Sequence, residues 1–243
     1  MRRISKWIPL VFVGVLSGLP AFAADSIPAS GGDIRITPIA HASVAIEYGG
    51  MMILVDPAGK GDYTHAMAPD LILITGPEND HLDPDLIRKI RKPGTVIAIP
   101  AAASEKVPDG IVVGNGETKT IAGIRVEGIA AYDLIPGDPF HPKGRGNGYV
   151  ITLGDRRIYL SGVTECVPEV RALKSIDVAF VSMNLPHGRM TMAAAASCMK
   201  TFGPKVVYPY HYRDARLADF KDALKGLPIE VRPGDWYPAA TPN

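Results

Sequence analysis

The segment Asp70–Leu82, which reads DLILITGPENDHL, decides how the rest of this 243-residue sequence is interpreted. Its apolar run Leu71–Ile74 is typical of a β-strand that is buried on both faces. A polar loop follows the run. Asp83 and Pro84 then predict a helix start, because Asp caps helix N-termini and Pro is favoured in the first turn. Strand, loop and helix together predict an α/β unit with polar side chains at the end of a buried strand.

Short apolar and β-branched runs on both sides of this unit predict further strands, and amphipathic stretches predict helices. The predicted strands are 34–39, 43–48, 51–55, 71–74, 96–99, 149–153, 157–160, 178–181, 206–208 and 229–231. The predicted helices are 84–91, 101–106, 168–173, 192–202 and 215–224, with a polar lead-in at 26–32, a β-rich stretch at 111–131 and a Gly- and Pro-rich loop at 136–148. Early hairpins followed by strict α/β alternation predict two sheets with helices on the outside.

The N-terminus has the pattern of a secretory signal peptide. The basic residues Arg2, Arg3 and Lys6 precede an apolar run from Trp7 to Leu19, and Ala21-Phe22-Ala23 supplies the small residues of a cleavage site. The apolar run is shorter than the ~20 residues that span a bilayer, which argues against a membrane anchor. We therefore expect cleavage after Ala23 and export, with the periplasm as the destination.

The expected mature chain, residues 24–243, has the length of one fairly large domain and needs no disulfides or metals to bury a core. It retains 23 basic and 25 acidic residues, a net charge of −2. This near-neutral balance without a basic run argues against nucleic acid as a partner. No later segment is long and apolar enough to span a membrane, so we expect no membrane association after signal cleavage and a small molecule as the substrate.

Two cysteines, Cys166 and Cys198, are the only ones in the sequence. An exported protein permits a disulfide between them. However, Cys198 lies in an Ala-rich helical stretch, and there a buried free thiol is the expected state.

The strand and loop of Asp70–Leu82 resemble the metal loop of the metallo-β-lactamase superfamily, which usually reads Thr-His-x-His-x-Asp-His. The likeness is closest to the branch of predicted metal-dependent hydrolases similar to the ascorbate-lactone hydrolase. Other matching segments follow in order along the chain: Ile39–Ser43, Ile53–Pro57, Ala131–Tyr132, Phe140–Gly144, Gly148–Ile151, Ile158–Gly162 and Pro209–Tyr212. The resemblance implies a four-layer αββα sandwich, the metallo-β-lactamase fold, whose members hold one or two divalent ions with imidazole and carboxylate ligands.

The sequence departs from the superfamily pattern at three ligand positions. Gly76 stands where the first motif histidine belongs, and Glu78 stands in place of the second. Val163 occupies the position of the aspartate that bridges the two ions. Because glycine and valine have no metal-binding side chain, we do not expect a bridged two-metal site.

The retained residues Asp80, His81 and His211 imply a single, remodelled metal centre, since three protein ligands and an open position describe a catalytic zinc site. Glu78 and His141 are further candidate ligands, His141 because its loop resembles the third-histidine region. Zinc is the expected ion, and the oxygen-rich set would also suit manganese or iron. Asp80 or Glu78 would accept the proton of the attacking water. Without the resemblance, Asp80 and His81 also fit an ordinary capping turn, and His211 a packed core histidine.

Four more residues are candidates for contact with the substrate or for support of the ligands. His41 could orient another group by a hydrogen bond or be a plain strand residue, and Asp56 could do the same or be a turn aspartate. His187 and Arg189 lie in a loop that resembles a segment near the active site of the superfamily. They could touch the substrate or replace a lost ligand.

The leading hypothesis is an exported metal-dependent hydrolase in which one metal ion activates water against an ester, lactone or phosphoester. The alternative from a different class is a catalytically inactive periplasmic binding protein that keeps the fold. A metal-binding or storage role without turnover is a third reading. Retention of Asp80, His81 and His211 favours metal binding, whereas Gly76 and Val163 favour lost catalysis.

Overall fold

The computed structural model describes residues 24–59, 61–135, 137, 139–183, 185, 189–213 and 215–237. The predicted signal peptide, residues 1–23, and the candidate residue His187 lie outside these residues. Within them, no helix has the length and apolar character needed to cross a membrane.

The segment Asp70–Leu82 lies in the middle of the first of two sheets. This sheet has seven strands in chain order: β1 (Asp25–Ile27), β2 (Ile34–Ala40), β3 (Ser43–Tyr48), β4 (Met51–Val55), β5 (Leu71–Leu73), β6 (Val96–Ile99) and β7 (Ile111–Val112). Helix α1 (Pro84–Ile90) follows β5, and single 3-10 turns cover Thr64–Ala66 and Ala101–Ala103. The Asp83 carboxylate accepts hydrogen bonds from two backbone N–H groups of α1, and Pro84 is in its first turn, so the predicted helix start is confirmed.

The second sheet is built from the other half of the chain. Its strands are β8 (Thr118–Ile121), β9 (Ile124–Ala131), β10 (Gly146–Leu153), β11 (Arg156–Leu160), β12 (Val178–Ser182), β13 (Val206–Tyr210) and β14 (Glu230–Val231). Its helices are α2 (Pro168–Arg171), α3 (Met192–Phe202) and α4 (Leu217–Ala223). In each sheet the first four strands pair antiparallel and the last four pair parallel. The two halves therefore repeat one topology, although their sequences show no repeat.

Buried apolar side chains fill three layers between the sheets and the helices. The central layer joins both sheets, with Val55 and Leu73 from the first and Tyr149 and Phe180 from the second. One outer layer packs the first sheet against α1, and the other packs the second sheet against α2, α3 and α4. Each large apolar side chain buried in this way stabilises the fold by roughly 1.5–3 kcal/mol. The predicted αββα sandwich is confirmed.

The predicted loop 136–148 is wrong at its C-terminal end, because β10 begins at Gly146. The Asn147 backbone N–H donates to the Thr75 carbonyl oxygen over 2.8 Å and so joins the two sheets. A Cβ atom at Gly148 would lie 2.9 Å from a carbonyl oxygen of β11. Gly146 and Gly148 lie in a strand, where the lack of a side chain lets other backbone segments come close. Composition alone does not distinguish such strand glycines from loop glycines.

Smaller differences occur where tertiary contacts override local propensity. The predicted helix 101–106 is one 3-10 turn, Ala101–Ala103, because Val107 turns into the core and Pro108 cannot continue a helix. The predicted lead-in 26–32 overlaps strand β1. This polar segment is a strand because its backbone pairs with β2. The remaining predicted strands and helices are present, with ends that differ by a few residues.

The expected free thiol is wrong, because Cys166 and Cys198 form a disulfide whose Cα atoms are 5.7 Å apart. Cys166 precedes α2, and Cys198 is buried on α3. The bond therefore ties the segment that follows β11 to the helix that follows β12. The separation of 32 residues in the sequence does not indicate this contact.

Replacement of both cysteines by serine should lower the free energy of unfolding by about 2–4 kcal/mol, because the cross-link restricts the unfolded chain. Urea denaturation of the oxidised wild type and of the double variant measures the difference. Wild-type protein in dithiothreitol is the matched control and should behave like the variant. Equal midpoints for oxidised and reduced protein would contradict a stabilising disulfide.

Candidate metal centre

A cleft of about 620 Å³ opens beside the ends of β5, β11 and β13, where the loops of both sheets meet. Ligand sites in α/β sheets lie at the carboxyl ends of parallel strands, because loops from neighbouring strands converge there. The volume is within the range of pockets that enclose small molecules. Its lining includes several of the residues predicted from the sequence: Glu78, Asp80, His81, His141, Arg189 and His211.

His41, Asp80 and His211 come together at one side of this cleft, with one ligand-type atom from each inside a span of 4.8 Å. The Asp80 Oδ2 atom lies 3.3 Å from His41 Nε2 and 3.6 Å from His211 Nε2. His41 follows β2, Asp80 lies in the loop after β5, and His211 follows β13. Three segments that are far apart in the sequence therefore supply one cluster of imidazole and carboxylate groups.

Backbone geometry at the cluster is unusual for residues with side chains. His41, Asp56 and His211 have φ angles of 54°, 44° and 53°, in the left-handed region that favours glycine. The His211 N–H donates to the His41 carbonyl oxygen over 3.0 Å, and the His41 N–H donates to the Trp236 carbonyl oxygen over 3.0 Å. Strained conformations of this kind persist only where surrounding contacts enforce them, and they concentrate at functional sites.

The protonation states of the cluster suit a metal ion. Burial lowers the pKa of His211 to about 3, so its imidazole is neutral at neutral pH. The neighbouring His211 and His41 side chains hold the pKa of the Asp80 carboxyl well below its usual value. Metal ions bind neutral imidazole and ionised carboxylate, which are the forms of His211 and Asp80.

Two buried atoms of His211 test whether such an ion fits. Its Nδ1 and Nε2 atoms are both buried and make no hydrogen bond. A buried polar atom without a partner is costly, and an ion at the cluster would give one of these nitrogens its partner. The mixed nitrogen and oxygen donors match the ligands that zinc accepts, so the residues present fit a divalent ion.

His81 lies beside the cluster and is held by Asp56. Its Nδ1 atom is 2.7 Å from Asp56 Oδ2, and its Nε2 atom is buried without a hydrogen bond. Burial opposes protonation of His81, but the Asp56 carboxylate outweighs it and raises the pKa of the imidazole. Asp56 also accepts hydrogen bonds from the Thr75 N–H and hydroxyl at 2.7 Å and 2.6 Å. Carboxylates commonly orient metal-binding histidines in this way, which leaves Nε2 of His81 as a further ligand atom.

On the other side of the cleft, Glu78 stands in place of a motif histidine and forms an ion pair with Arg145. The Glu78 carboxylate accepts a hydrogen bond from Arg145 Nε at 2.7 Å. It folds back over Gly76, where a Cβ atom would lie 2.4 Å from Glu78 Oε2. Val163 lines the same space. Among the described residues, the ligand cluster found at the cleft does not include Glu78.

His141 and Arg189 face the cleft from a third direction and share the buried carboxylate of Asp133. Arg189 Nε donates to Asp133 Oδ1 over 2.7 Å, and His141 Nδ1 lies 3.4 Å from the same oxygen. His141 is outside the cluster of His41, Asp80 and His211. The two candidates from the sequence are therefore brought to the cleft by a residue that the sequence analysis did not select.

Tyr237 is a further residue of the site that the sequence does not predict. Its hydroxyl oxygen lies 2.8 Å from His41 Nδ1 and accepts a hydrogen bond from the Arg213 N–H over 2.7 Å. No motif surrounds Tyr237, so nothing in the local sequence indicates this contact. Asp133 could have been noticed, because it directly follows the Ala131–Tyr132 segment that resembles the superfamily.

Comparison with known proteins places the chain in a family. A model described as the beta-lactamase superfamily domain matches residues 35–211, well over half of the sequence, and the chain therefore belongs to this superfamily. The superfamily expected from the sequence is confirmed. The narrower likeness to the branch of the ascorbate-lactone hydrolase stays a prediction.

Individual relatives agree with this assignment. The crystal structure of a Parabacteroides distasonis protein, proposed to be a metal-dependent hydrolase, has a TM-score of 0.85 and 40% identity, and the match covers 89% of this chain and 100% of that one. A UPF0173 metal-dependent hydrolase of Methanopyrus kandleri is 26% identical over 84% of this chain and 99% of its own length. Igni18, a metallo hydrolase of Ignicoccus hospitalis, shares the fold with a TM-score of 0.68 at 21% identity, over 82% of this chain and 94% of its own.

Replacement of Asp56 by alanine should lower the free energy of unfolding of the metal-free protein by about 3–5 kcal/mol, because it leaves the buried His81 and Thr75 without their partner. Urea denaturation measures the loss. Asp222, exposed on α4, gives the matched control, and its alanine variant should change stability by less than about 0.5 kcal/mol. Similar stabilities of the two variants would show that the Asp56 carboxylate is dispensable.

Proposed function

We propose that this chain is a metal-dependent hydrolase that uses one divalent ion, zinc above all, to cleave an ester, lactone or phosphoester bond in a small molecule. The observation that carries the proposal is the cluster of His41, Asp80 and His211 at the cleft, with the unpartnered nitrogens of His211 in its interior. Asp80 and His211 are the ligands that the sequence also predicts. His41 or His81 would complete the set.

When bound, such an ion polarises a carbonyl or phosphoryl group and lowers the pKa of water. The chain's own residues hold and orient the reactants. Asp56 fixes the His81 ring through Nδ1, and Tyr237 contacts Nδ1 of His41. Both contacts leave the Nε2 atoms of these rings turned away from their supporting partners. Preorganised ligands of this kind lower the cost of binding an ion.

The residues on the opposite side of the cleft support one bound ion rather than two. Gly76 and Val163 offer no ligand, and Glu78 is engaged by Arg145. The guanidinium of Arg145 places a fixed positive charge where a second ion would otherwise be needed. Asp80 lies between two imidazoles. Asp80 and Glu78 are the carboxylates that the sequence suggests for accepting the proton of the attacking water.

The names of the relatives support hydrolysis as the reaction. Both the M. kandleri relative and the I. hospitalis structure are described as metal-dependent or metallo hydrolases. The 40% identity of the P. distasonis protein extends over most of this chain. The substrate class rests on the metal chemistry and on a cleft of about 620 Å³, which suits a small molecule.

Removal of a cluster ligand should abolish metal binding. Elemental analysis of mature protein should find about one ion per chain in the wild type, and much less in the Asp80→Ala and His211→Ala variants. His65→Ala removes an exposed histidine outside the cleft and is the matched control, with unchanged metal content. Hydrolysis of p-nitrophenyl acetate, γ-butyrolactone and bis(p-nitrophenyl) phosphate should fall with metal content.

Two results would overturn the proposal. If the wild type binds neither zinc nor manganese after incubation, the inactive periplasmic binding protein is the better reading. If it binds an ion but cleaves nothing in a broad screen, a metal-binding role without turnover replaces hydrolysis. Gly76 and Val163 are the features of this chain that favour the first of these alternatives.

We also propose that the protein is exported to the periplasm, as its N-terminal sequence predicts. The disulfide between Cys166 and Cys198 supports an oxidising compartment, because structural disulfides are rare in the cytosol. Strand β1 begins at Asp25, so cleavage after Ala23 would leave every strand that the structure describes intact.

Expression of the full chain in a Gram-negative host should give a periplasmic protein whose intact mass starts at Ala24, because the signal would be cleaved after Ala23. A variant that lacks residues 2–23 is the control and should stay in the cytoplasm. A full-length product that remains cytoplasmic with its N-terminus intact would contradict export.

A further inference from the structure

We propose that His141 is the acid–base residue of the cleft, oriented by the buried carboxylate of Asp133, and that it is not a metal ligand. This inference rests on the proposed hydrolytic function and goes beyond it, because it assigns the proton transfer to a group that lies outside the metal cluster. Neither Asp80 nor Glu78, the carboxylates suggested by the sequence, is then needed for that step.

The first observation is the tight contact between the segments of Asp133 and His141. The Asp133 N–H donates to the His141 carbonyl oxygen over 2.9 Å, and the His141 N–H donates to Asp133 Oδ2 over 3.0 Å. The Asp133 side chain is fully buried, and the His141 side chain is only 12% exposed. The carboxylate is therefore built into the turn that carries the histidine, and the two cannot separate without breaking both hydrogen bonds.

The second observation concerns the edge of the ring that faces Asp133. His141 Nδ1 is buried, lies 3.4 Å from Asp133 Oδ1 and makes no hydrogen bond in this structure. This distance is somewhat longer than a normal hydrogen bond, and catalytic contacts often tighten only when substrate binds. A proton on Nδ1 would lie on the side of the ring next to this carboxylate. His141 also lines the cleft, and Nε2 is then the ring nitrogen left to present a lone pair to a substrate.

The charges around His141 favour this arrangement. Arg189 Nε donates to Asp133 Oδ1 over 2.7 Å and places a positive charge beside that side chain. Burial lowers the pKa of His141, against the opposing effects of Asp133 and Glu78, and Arg189 lowers it further. The imidazole is therefore neutral at neutral pH, which is the form that accepts a proton. Arg145 and Lys106 are the other cationic residues that line this cleft.

The third observation is that, within the part of the chain that the structure describes, the ligand cluster at the cleft does not include His141. Gly76 and Val163 stand at the positions of two ligands of the first metal in the superfamily, and Glu78 is paired with Arg145. The cluster that can hold an ion lies elsewhere, on His41, Asp80 and His211. A histidine that has lost its metal but keeps a buried carboxylate on Nδ1 has the arrangement of an Asp–His acid–base pair.

In the hydrolysis of an ester or lactone, His141 would act first as a base and then as an acid. His141 Nε2 takes one proton from water as the water oxygen forms a bond to the carbonyl carbon, and the π electrons move to the carbonyl oxygen. When the tetrahedral intermediate collapses, the bond from carbon to the leaving oxygen breaks. The imidazolium then returns its proton to that oxygen, so the residue is regenerated. Asp133 stabilises the transient imidazolium and is a positioning residue.

Histidine tautomers in the metal-free protein test the geometry without any substrate. Protein labelled with ¹⁵N on histidine should show His141 with its proton on Nδ1, with the signal assigned by its loss in His141→Gln. In Asp133→Asn the neutral ring should lose this preference, and its titration midpoint should fall further, because the carboxylate that favours the imidazolium is gone. A proton on Nε2 in the wild type would overturn the proposal, as would an unchanged ring in Asp133→Asn.

Metal content separates this inference from the proposed function. His141→Gln should keep the full metal content of the wild type while hydrolysis of p-nitrophenyl acetate falls by at least about 100-fold. His65→Gln is the control and should alter neither. Loss of metal in His141→Gln would identify His141 as a ligand and overturn this inference alone, as would an unchanged rate. A wild type that binds no metal would overturn the proposed function, and the tautomer experiment would still decide the orientation of His141.

Discussion

The buried carboxylate of Asp56 is the interaction on which the site depends. It accepts two hydrogen bonds from Thr75 at the end of β5 and contacts the ring of His81 in the following loop. The oxygens of a buried carboxylate must find hydrogen-bond partners inside the protein. Asp56 therefore holds the loop after β5 in one conformation beside the end of β4. That conformation turns Asp80 toward the cleft, where it meets histidines from two other segments. A single desolvated charge therefore organises residues that are far apart in the chain.

The cleft divides into two halves with different electrostatics. One half holds the carboxylate of Asp80 among imidazoles, which is an arrangement that a cation would complete. The other half already contains its own cations, with Arg145 on Glu78 and Arg189 on Asp133. Guanidinium groups carry a fixed charge at every accessible pH and keep a planar geometry. Under the proposed single-ion function, these permanent cations take the place of a second, exchangeable metal ion.

Local patterns predicted the fold well because the relevant signals are local. The apolar run Leu71–Ile74 and the Asp83 cap each depend on neighbours within a few residues. Strand β10 was missed at Gly146, and the disulfide between Cys166 and Cys198 was not expected, since both depend on segments that meet only in three dimensions.

The residues of the site could be predicted only where a sequence motif contains them. Asp80 and His211 were selected because the motif that contains them resembles a superfamily. His41 was expected only to support other groups, and its approach to Asp80 depends on a left-handed backbone and on contacts with the C-terminal residues Trp236 and Tyr237. Asp133 was not selected, because its importance comes from its burial beside His141, and burial is a property of the folded chain.

The cluster takes residues from both sheets, and this determines when it can form during synthesis and folding. His41 and Asp80 belong to the first half, whereas His211 belongs to the second, near the end of the sequence. Trp236 and Tyr237, which contact His41, come later still. The chain must therefore be synthesised at least through Tyr237 before these groups can meet, and a nascent first half, even if folded, carries an incomplete set. The cluster can form only after both sheets are available.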